Sequence, residues 1–390
     1  SGLARGLVKL GNEVEILTGY PNYPKGKFYD GYKIRFSLKE DFEGAVVHRL
    51  PLIPDRNRNA LWRIANFLSF MISVLFVGPF KIKKPDIIWV YNPPLTLGIP
   101  ASFMCFLFRA PLVVEIQDMW PETLQATGFI ENKLILKIID LIGKFQYRVA
   151  SAITVISEGF KRNIEQKGVD RSKIFVIENW AYEQESFSEH INNDLAKEKG
   201  LDGKFNVLYA GNMGSAQGLS NLVEAAKILE SFDSIQFVLM GSGIEEDYLK
   251  EMVRKYHLSN VIFLGRLPME MMTSMYALSD ALLVHLTDDP LFEITIPGKT
   301  QSCLLSGKPV IASVNGDAAN LIEKAKAGFT AEAMNPASLA TAVKNLYNLS
   351  EIERYQMGLR GRSYYFDNLS PAVQVEKYQN LFEDILKRKG

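Results

Sequence analysis

The sequence predicts an α/β fold with two Rossmann-like, doubly wound domains. Three observations indicate it. Short apolar runs alternate with helical patterns along nearly the whole chain, as in a parallel sheet with crossover helices. Several of these runs are apolar on both faces, which suits strands that are covered on two sides. At 390 residues the chain is too long for one comfortable hydrophobic core, so two domains of ordinary size are expected.

Composition places the chain among soluble globular proteins and argues against several function classes. Apolar residues make up 47% and charged residues 23%. The 44 basic residues balance the 44 acidic ones, so no net field favours nucleic acid. Two cysteines, Cys105 and Cys303, and four histidines predict neither a disulfide framework nor a zinc site, and a reducing compartment is expected. Residues 1–9 lack the pattern of a signal peptide.

The first domain is expected over residues 1–182. Its predicted strands are Val14–Thr18, Ala45–Leu50, Ile87–Tyr91, Leu112–Ile116 and Ala152–Ile156. Its predicted helices are Leu61–Val77, Leu97–Leu107, Lys133–Val149 and Glu158–Lys167. Doubly wound domains normally begin with a strand and a glycine turn, whereas this sequence opens on a helical pattern, so about 20 further residues, one strand plus its turn, are expected upstream.

A polar, unpatterned segment, residues 183–203, is expected to link the first domain to a second one over residues 204–365. The second domain's predicted strands are Phe205–Ala210, Ile235–Met240, Val261–Leu264, Ala281–Leu286 and Pro309–Val314. Its predicted helices are Leu219–Glu230, Glu245–Tyr256, Met269–Leu278, Thr300–Ser306 and Ala318–Lys326. Residues 366–390 are expected to carry a last helix that begins at Ser370-Pro371.

The stretch from Leu286 to Val310 is the most informative part of the second domain. A strand, a Pro-Gly-Lys turn, a short helix and a second strand form a βαβ unit there. Ligands in open α/β sheets bind beyond the carboxyl ends of the strands. Because Lys299 opens the helix, where backbone N–H groups are free, the pattern predicts a site for a phosphate-bearing ligand.

Glycine turns follow two other strands of this domain. Gly211, Asn212 and Gly214, with Gln217 ahead of the next helix, would let backbone amides approach a diphosphate. Gly241 and Gly243 form a second, less specific turn. Arg266 follows a further strand and could pair with phosphate oxygens. Taken singly, each has a plain alternative, a tight βα turn for the glycines and a surface side chain for Arg266.

In the first domain, Asp118 and Glu122 follow the strand Leu112–Ile116, where a doubly wound sheet presents ligand contacts. The alternative interpretation of Asp118 is a helix cap. Asn22 and Tyr23 lie on a long loop that either contacts an acceptor or covers the surface. Asp288-Asp289 is interpreted as a solvated turn rather than a metal site.

These motifs together resemble family 4 glycosyltransferases of the GT-B architecture, whose two Rossmann-like domains face a central cleft. The subgroup is similar to bacterial transferases of O-antigen, capsule and colanic-acid assembly, often described as fucosamine transferases. The matching segments are GNEVEILTGYPNYPKG (Gly11–Gly26), PDIIWVYNPPLTLG (Pro85–Gly98), EIQDMWPETLQATG (Glu115–Gly128), ISEGFK (Ile156–Lys161), YAGNMGSAQGL (Tyr209–Leu219), FLGRLP (Phe263–Pro268) and IPGKTQSCLLSGKPVIA (Ile296–Ala312).

The resemblance implies transfer of a sugar with retention of configuration from a nucleoside-diphosphate sugar, expected to be a UDP-sugar, to a lipid-linked saccharide. It implies no cofactor and no obligatory metal. It also implies that the last helix packs against the first domain. It assigns chemistry to Asp118, Arg266 and Lys299, donor contacts to Gly211, Asn212, Gly214, Gln217, Gly241, Gly243, Ile296, Gln301 and Ser302, and acceptor contacts to Asn22, Tyr23 and Glu122.

Two departures from the family pattern stand out. The family's paired glutamates fall on Ile294 and Ser302, so ribose recognition by a glutamate does not carry over, and Gln301 or Ser302 is the expected substitute. The Arg and Lys that many relatives place near the first glycine turn are Asn212 and Gln217 here. Arg266 and Lys299 are left as the expected partners of the diphosphate.

A cytoplasmic protein, peripheral on the inner membrane face, is expected. The apolar segment Leu61–Phe80 beside Lys81, Lys83 and Lys84 favours docking on anionic lipid, and a buried helix with a solvated lysine turn is the equal alternative. Three rival functions share parts of the pattern: a nucleotide-sugar 2-epimerase, a nicotinamide oxidoreductase, for which no GxGxxG fingerprint is visible, and a non-catalytic sugar-nucleotide-binding subunit.

Overall fold

The computed structural model describes residues 1–22, 26–33, 35–55, 60–126, 130, 132–181 and 192–389, with the side chains of residues 60 and 61 left out. The chain divides into two compact units. Unit 1 comprises Ser1–Ile156, Phe160–Ile177 and Gln374–Gly390, and unit 2 comprises Ser157–Gly159 and Glu178–Val373. The last part of the chain therefore belongs to the same unit as its beginning.

Unit 1 carries two sheets rather than the single parallel sheet expected from the sequence. Its strands are β1 (Glu15–Gly19), β2 (Leu38–Phe42), β3 (Ala45–Leu50), β4 (Ile88–Asn92), β5 (Leu112–Ile116), β6 (Ala152–Val155) and β7 (Ile174–Val176). One sheet has the order β1-β3-β2, with β2 antiparallel to β3, and the other has the order β4-β5-β6-β7 and is wholly parallel. β2 and β7 were not predicted, because both are short and neither is fully buried.

Helices cover the sheets of unit 1. They are α1 (Gly2–Lys9), α2 (Ala60–Val77), α3 (Gly98–Phe108), α4 (Glu122–Ala126), α5 (Lys133–Val149) and α6 (Glu158–Gln166). Asn132 starts α5 by accepting hydrogen bonds from the backbone N–H groups of Leu134 and Ile135 at 2.9 and 3.2 Å. One helix of the described residues, Trp62–Phe80, is long and apolar enough to cross a membrane.

Unit 2 contains one wholly parallel, six-stranded sheet. Its strands are β8 (Phe205–Asn212), β9 (Ile235–Ser242), β10 (Val261–Gly265), β11 (Ala281–His285), β12 (Val310–Ser313) and β13 (Gly328–Ala331). The order is β10-β9-β8-β11-β12-β13, so the direction of winding reverses between β8 and β11. That reversal is the topological switch point at which doubly wound sheets bind ligands.

The helices of unit 2 lie on both faces of this sheet, as its two apolar clusters indicate. They are α7 (Asn193–Glu198), α8 (Ser220–Ile228), α9 (Glu246–Lys255), α10 (Met272–Ala277), α11 (Pro290–Glu293), α12 (Lys299–Leu305), α13 (Asp317–Ala325), α14 (Pro336–Tyr347) and α15 (Glu351–Asn368). The last helix, α16 (Pro371–Lys389), continues into unit 1.

Residues 183–203 were expected to be an unpatterned linker, and the structure contradicts this for the part that it describes. Its first part, up to residue 191, lies outside the described residues. The rest contains α7, because Asn192 caps it by accepting a hydrogen bond from Leu195 N–H at 3.0 Å. Ala196 and Leu201 bury their side chains in the core of unit 2, so this segment is part of the domain and not a free connection.

Candidate active site

The carboxyl ends of β8 and β11 meet at the switch point of unit 2, and the turn after β8 is held there by β11. Thr287 N–H, just beyond β11, donates to the carbonyl of Ala216 at 3.0 Å. His285, the last residue of β11, approaches the carbonyl of Gln217 with Nδ1 at 2.7 Å and the Asn221 amide with Nε2 at 2.8 Å. The end of β11 therefore holds Ala216 and Gln217 in place.

His285 was not predicted as a site residue. It is fully buried, and desolvation lowers its pKa to about 4. The ring is neutral at physiological pH. Its two contacts then set the tautomer, because Nδ1–H must donate to the carbonyl of Gln217 and Nε2 must accept from Asn221. His285 positions the turn and carries no charge into the site.

The glycines at this edge let two turns lie in contact. A Cβ added to Gly241 would be 1.8 Å from the carbonyl oxygen of Gly211, and one added to Gly243 would be 2.2 Å from that of Met213. Gly211 and Gly241 also adopt positive φ angles of 151° and 137°. Backbone packing between β8 and β9 therefore demands glycine at Gly241 and Gly243, which the sequence had assigned to donor contacts.

The turn after β8 presents unpaired backbone donors. Gln217 Oε1 accepts from Gly214 N–H at 3.1 Å and from Asn212 Nδ2 at 3.2 Å, so this side chain organises the turn. The N–H groups of Ser215 and Ala216, which open a short 3-10 helix, have no acceptor among the described residues. Two adjacent free N–H groups at a helix start form a binding site for an anion.

Lys299 lies beside this turn at the start of α12. Its Nζ donates to Tyr209 Oη at 2.8 Å and stands 3.9 Å from the centroid of the Tyr209 ring. The Tyr209 hydroxyl in turn donates to the carbonyl of Asn212 at 2.6 Å. A Cβ at Gly211 would lie only 3.2 Å from Lys299 Nζ, so the absence of a side chain at Gly211 gives the ammonium group room. The structure thus brings together Lys299, Gly211 and Asn212.

The charge of Lys299 is not neutralised by the protein. No carboxylate of the described residues pairs with it, and desolvation lowers its pKa from 10.5 to about 8. The aromatic face of Tyr209 offsets part of the cost of the buried charge. An anion that entered beside Gly211 would supply the missing counter-charge.

Arg266 is not brought to this group. It is exposed, follows β10, and makes no ion pair within the described part of the chain. β10 is the edge strand of the sheet and is separated from β8 by β9. Arg266 and Lys299 follow consecutive strands along the chain, which suggested a shared site. In the sheet, however, the strands that they follow, β10 and β11, lie on opposite sides of β8.

Three residues expected to contact the donor have buried side chains. Ile296 lies in the core of unit 2, and Gln301 and Ser302 are 1% and 3% exposed on α12. With its amide nitrogen oriented toward the preceding loop, Gln301 donates to the carbonyls of Pro297 and Gly298. These side chains therefore pack beside the Pro-Gly-Lys loop, and their assignment as direct donor contacts stays a prediction.

In unit 1, Asp118 lies in the loop after β5. Its carboxyl is partly buried, and desolvation raises its pKa. Glu122, expected on the acceptor side, is engaged by Lys167 at 2.6 Å and is the first residue of α4. Asn22 donates to the carbonyl of Tyr20 at 3.0 Å and accepts from Asn66 of α2 at 3.3 Å. Tyr23 lies outside the described residues.

The acidic pair after β11 has structural partners. Asp289 caps α11 by accepting from Leu291 N–H at 2.8 Å, and Asp288 accepts from Asn315 Nδ2 at 3.1 Å. Within the described ranges no group of three His, Cys, Asp or Glu side chains could hold a metal ion.

Comparison with known proteins decides the family. A model described as "Glycosyl transferase 4-like domain" matches residues 1–180, and one described as "Glycosyl transferases group 1" matches residues 191–363. The chain belongs to the glycosyltransferases. The resemblance drawn from the sequence motifs is confirmed.

Two curated relatives support the assignment. The glycosyltransferase is 23% identical over 321 residues to the probable glycosyltransferase WbjE of Pseudomonas aeruginosa, covering 80% of this chain and 77% of that protein. It is 26% identical over 286 residues to the putative colanic acid biosynthesis glycosyl transferase WcaI of Escherichia coli, covering 71% and 70%.

Solved structures share its fold. Anabaena Alr3699/HepE, crystallised in complex with UDP, has a TM-score of 0.68 at 16% identity and covers 87% of this chain and 86% of its own. The sucrose-phosphate synthase (tll1590) of Thermosynechococcus elongatus has a TM-score of 0.71 at 16% identity and covers 99% and 92%. The predicted GT-B class of two α/β domains is confirmed.

Proposed function

We propose that the glycosyltransferase moves a sugar from a UDP-sugar to a lipid-linked saccharide, with retention of anomeric configuration, in bacterial surface polysaccharide biosynthesis. The HepE complex with UDP supports the nucleotide, and the name of WcaI supports the pathway class. Retention and the lipid-linked acceptor rest on the family resemblance of the motifs.

The observation that carries the proposal is the uncompensated ammonium group of Lys299 beside the turn Gly211–Gly214. When a sugar leaves a nucleoside diphosphate, negative charge builds up on the leaving phosphate. A fixed cation and two free N–H groups, those of Ser215 and Ala216, stabilise that charge without reorganising at the moment of reaction. These groups are held by Tyr209, Gln217 and His285 before any ligand binds.

The charge of the leaving group is met by Lys299 and the backbone, with no metal and no cofactor in the proposed mechanism. Asp118 is proposed to orient a hydroxyl of the sugar or the acceptor, because its partly buried carboxyl makes no hydrogen bond within the described residues. Arg266 is proposed to contact the donor only by reaching it from the exposed surface beyond β10. The protein acts in the cytoplasm, at the inner face of the membrane.

Release of nucleoside diphosphate that depends on acceptor tests the proposal. Purified protein is incubated with a panel of UDP-sugars, with and without a lipid-linked saccharide, and free UDP is measured. UDP release only with both substrates is expected. Conversion of the UDP-sugar to its 2-epimer without acceptor would identify the rival epimerase instead.

Lys299→Ala is expected to cut turnover by about 100-fold or more, as loss of a preorganised charge does. Lys227→Ala is the matched control, since Lys227 also lies over a tyrosine ring, that of Tyr256 at 4.1 Å, but on the surface of unit 2. An unchanged rate in Lys299→Ala with intact folding would remove Lys299 from the mechanism.

A further inference from the structure

Three helices of unit 1 concentrate exposed apolar surface on neighbouring elements. α2 contacts α3, and α3 contacts α5. In the described part of the chain, half of the exposed large apolar side chains lie on these helices and on the 3-10 turn Gly78–Phe80. Soluble monomers rarely expose a contiguous apolar patch of more than a few hundred Å² without a binding function. The exposed apolar side chains of these helices therefore indicate a binding surface.

One side of α2 packs against unit 1, and its other side is exposed to solvent. Ser73 Oγ donates to the carbonyl of Pro51 at 2.6 Å, and Asn66 Nδ2 donates to the carbonyl of Ile53 at 2.7 Å. Val74 and Val77 are buried against the sheet. The bare side carries the exposed row Ile64, Leu68, Ile72, Phe76 and Phe80. These contacts hold α2 against unit 1 and leave its apolar row exposed on the surface.

α5 carries an apolar row and a basic row side by side. The exposed apolar residues Leu134, Ile138, Leu141 and Phe145 recur at helical spacing and so share one face. The exposed basic residues, each next to that row, are Lys133, Lys137, Lys144 and Arg148. Within this basic row Lys144 is paired with Asp140 at 2.7 Å. Between α2 and α5, α3 adds Phe103, Phe106 and Leu107.

We propose that this three-helix face, formed by the exposed rows of α2, α3 and α5, docks on an anionic lipid bilayer. The apolar rows would enter the boundary between headgroups and acyl chains, and the basic row of α5 would meet the lipid phosphates. The three-helix face lies in unit 1 and uses no residue of the Lys299 site, so the docking holds or fails independently of the transfer chemistry.

The charge pattern favours lipid over a second copy of the chain. In a two-fold dimer the same patch is used by both copies, so the two basic rows would be brought into one interface. Interface cores are depleted in lysine. The lysines after α2 contribute less than the sequence suggested, because Lys83 pairs with Glu13 at 2.8 Å and Lys81 lies over the Phe36 ring. The basic row of α5 supplies the charge instead.

Co-sedimentation of the full chain with lipid vesicles tests the docking. Vesicles of phosphatidylcholine alone are compared with vesicles that also contain phosphatidylglycerol, at low and high salt. Binding to the anionic vesicles at low salt, weakened by salt, is expected. Leu141→Ser is expected to lower the partition coefficient about tenfold, and Lys137→Ala about fivefold. Ile352→Ser is the matched control, since Ile352 is also an exposed apolar side chain, 75% exposed against 57% for Leu141, but lies on α15 of unit 2.

Three outcomes would overturn the proposal. The first is wild-type protein that stays in the supernatant with both kinds of vesicle at low salt. The second is Leu141→Ser protein, folded by circular dichroism, that binds as the wild type does. The third is a dimer in sedimentation velocity that Leu141→Ser dissociates, without vesicle binding, which would make the face an interface between copies. UDP release measured with a detergent-solubilised acceptor reports on the proposed function separately.

Discussion

At the scale of single residues, Lys299 is a desolvated cation, and we propose that its position serves ligand binding at a cost in stability. Its ammonium group is desolvated, which lowers its pKa to about 8, and among the described residues its one hydrogen-bond partner is the neutral hydroxyl of Tyr209. A residue selected for stability alone would be apolar there, because an unpaired charge loses solvation without gaining a counter-ion. A bound diphosphate would repay that loss and draw the pKa back upward.

The pH dependence of donor use follows from this pKa. Since kcat/KM reports ionisations of the free enzyme, it is expected to fall as pH rises through about 8, where Lys299 loses its proton. Lys299→Arg, less active because of its shape, keeps its charge, so its falling limb is expected to move to higher pH. Steady-state kinetics from pH 6 to about 10 would measure this. An identical falling limb in both proteins would assign it to another group.

Tyr209 is expected to position Lys299. Tyr209→Phe keeps the ring but removes the hydroxyl that accepts from Lys299 and donates to Asn212. A roughly tenfold loss in kcat/KM is expected, about the value of one hydrogen bond to a charged group. Because the lost bond stabilised the ammonium form, the falling limb of the pH profile should also move to lower pH.

The matched control for Tyr209→Phe is Tyr256→Phe, which removes a surface hydroxyl bonded to Glu224 in the same unit. It should leave both the rate and the pH profile unchanged. A Tyr209→Phe protein that lost stability but kept the wild-type pH profile would make Tyr209 a purely structural residue.

The sequence could predict Lys299 and the turn Gly211–Gly214, because each belongs to a local strand-turn-helix pattern. It could not predict Tyr209 or His285, whose roles come from contacts between distant segments. Tyr209 is 90 positions from Lys299, and His285 is 68 from Gln217. For His285 there is one local signal, a polar residue that ends the otherwise apolar strand β11.

At the scale of elements, the site depends on how closely the turns after β8 and β9 approach each other. Gly241 pairs with Gly211 in register, and a Cβ on Gly241 would overlap the Gly211 backbone. A one-carbon change in the β9 turn would therefore displace the turn that carries the free N–H groups.

Gly241→Ala is expected to destabilise unit 2 by about 3 kcal/mol, because its Cβ would overlap the Gly211 carbonyl and its positive φ would be strained. Gly298→Ala is the control, since nothing lies within 4 Å of the added Cβ and its φ of −57° suits any residue. Chemical denaturation of both proteins would compare them. Equal stability in the two variants would show that the turns can separate at little cost.

Helices and strands with a clear periodicity of apolar residues were predictable from the sequence, and short or partly exposed elements were not. β3, β5 and α5 have the predicted bounds. β2, β7 and β13 have three to five residues, and most of their side chains are only partly buried, so no alternation stands out. α14 and α15 were also not predicted, although the Ser350–Glu353 capping box at the start of α15 is visible in the sequence.

At the scale of the whole molecule, the chain forms most of unit 1 first, then unit 2, and its last helix belongs to unit 1 again. α16 buries Val375, Tyr378, Leu381 and Ile385, and Tyr378 lies over the parallel sheet of unit 1. Its hydroxyl donates to Glu115 Oε2 at 2.8 Å and lies 3.4 Å from Thr154 Oγ1. Glu115 is 8% exposed, and desolvation raises its pKa. The last helix thus satisfies a buried carboxyl group more than 260 positions earlier in the chain.

Tyr378→Phe is therefore expected to destabilise unit 1 by about 2 kcal/mol, because it removes the donor to Oε2 of the buried Glu115 carboxyl and leaves the Gln117 amide, which donates to Oε1. Denaturant unfolding followed by tryptophan fluorescence reports mainly on this unit, since Trp62, Trp89 and Trp120 lie in it and only Trp180 lies in unit 2. Tyr248→Phe, which alters an exposed tyrosine of unit 2, should leave the midpoint unchanged. Equal midpoints for wild type and Tyr378→Phe would mean that α16 is held by its apolar face alone.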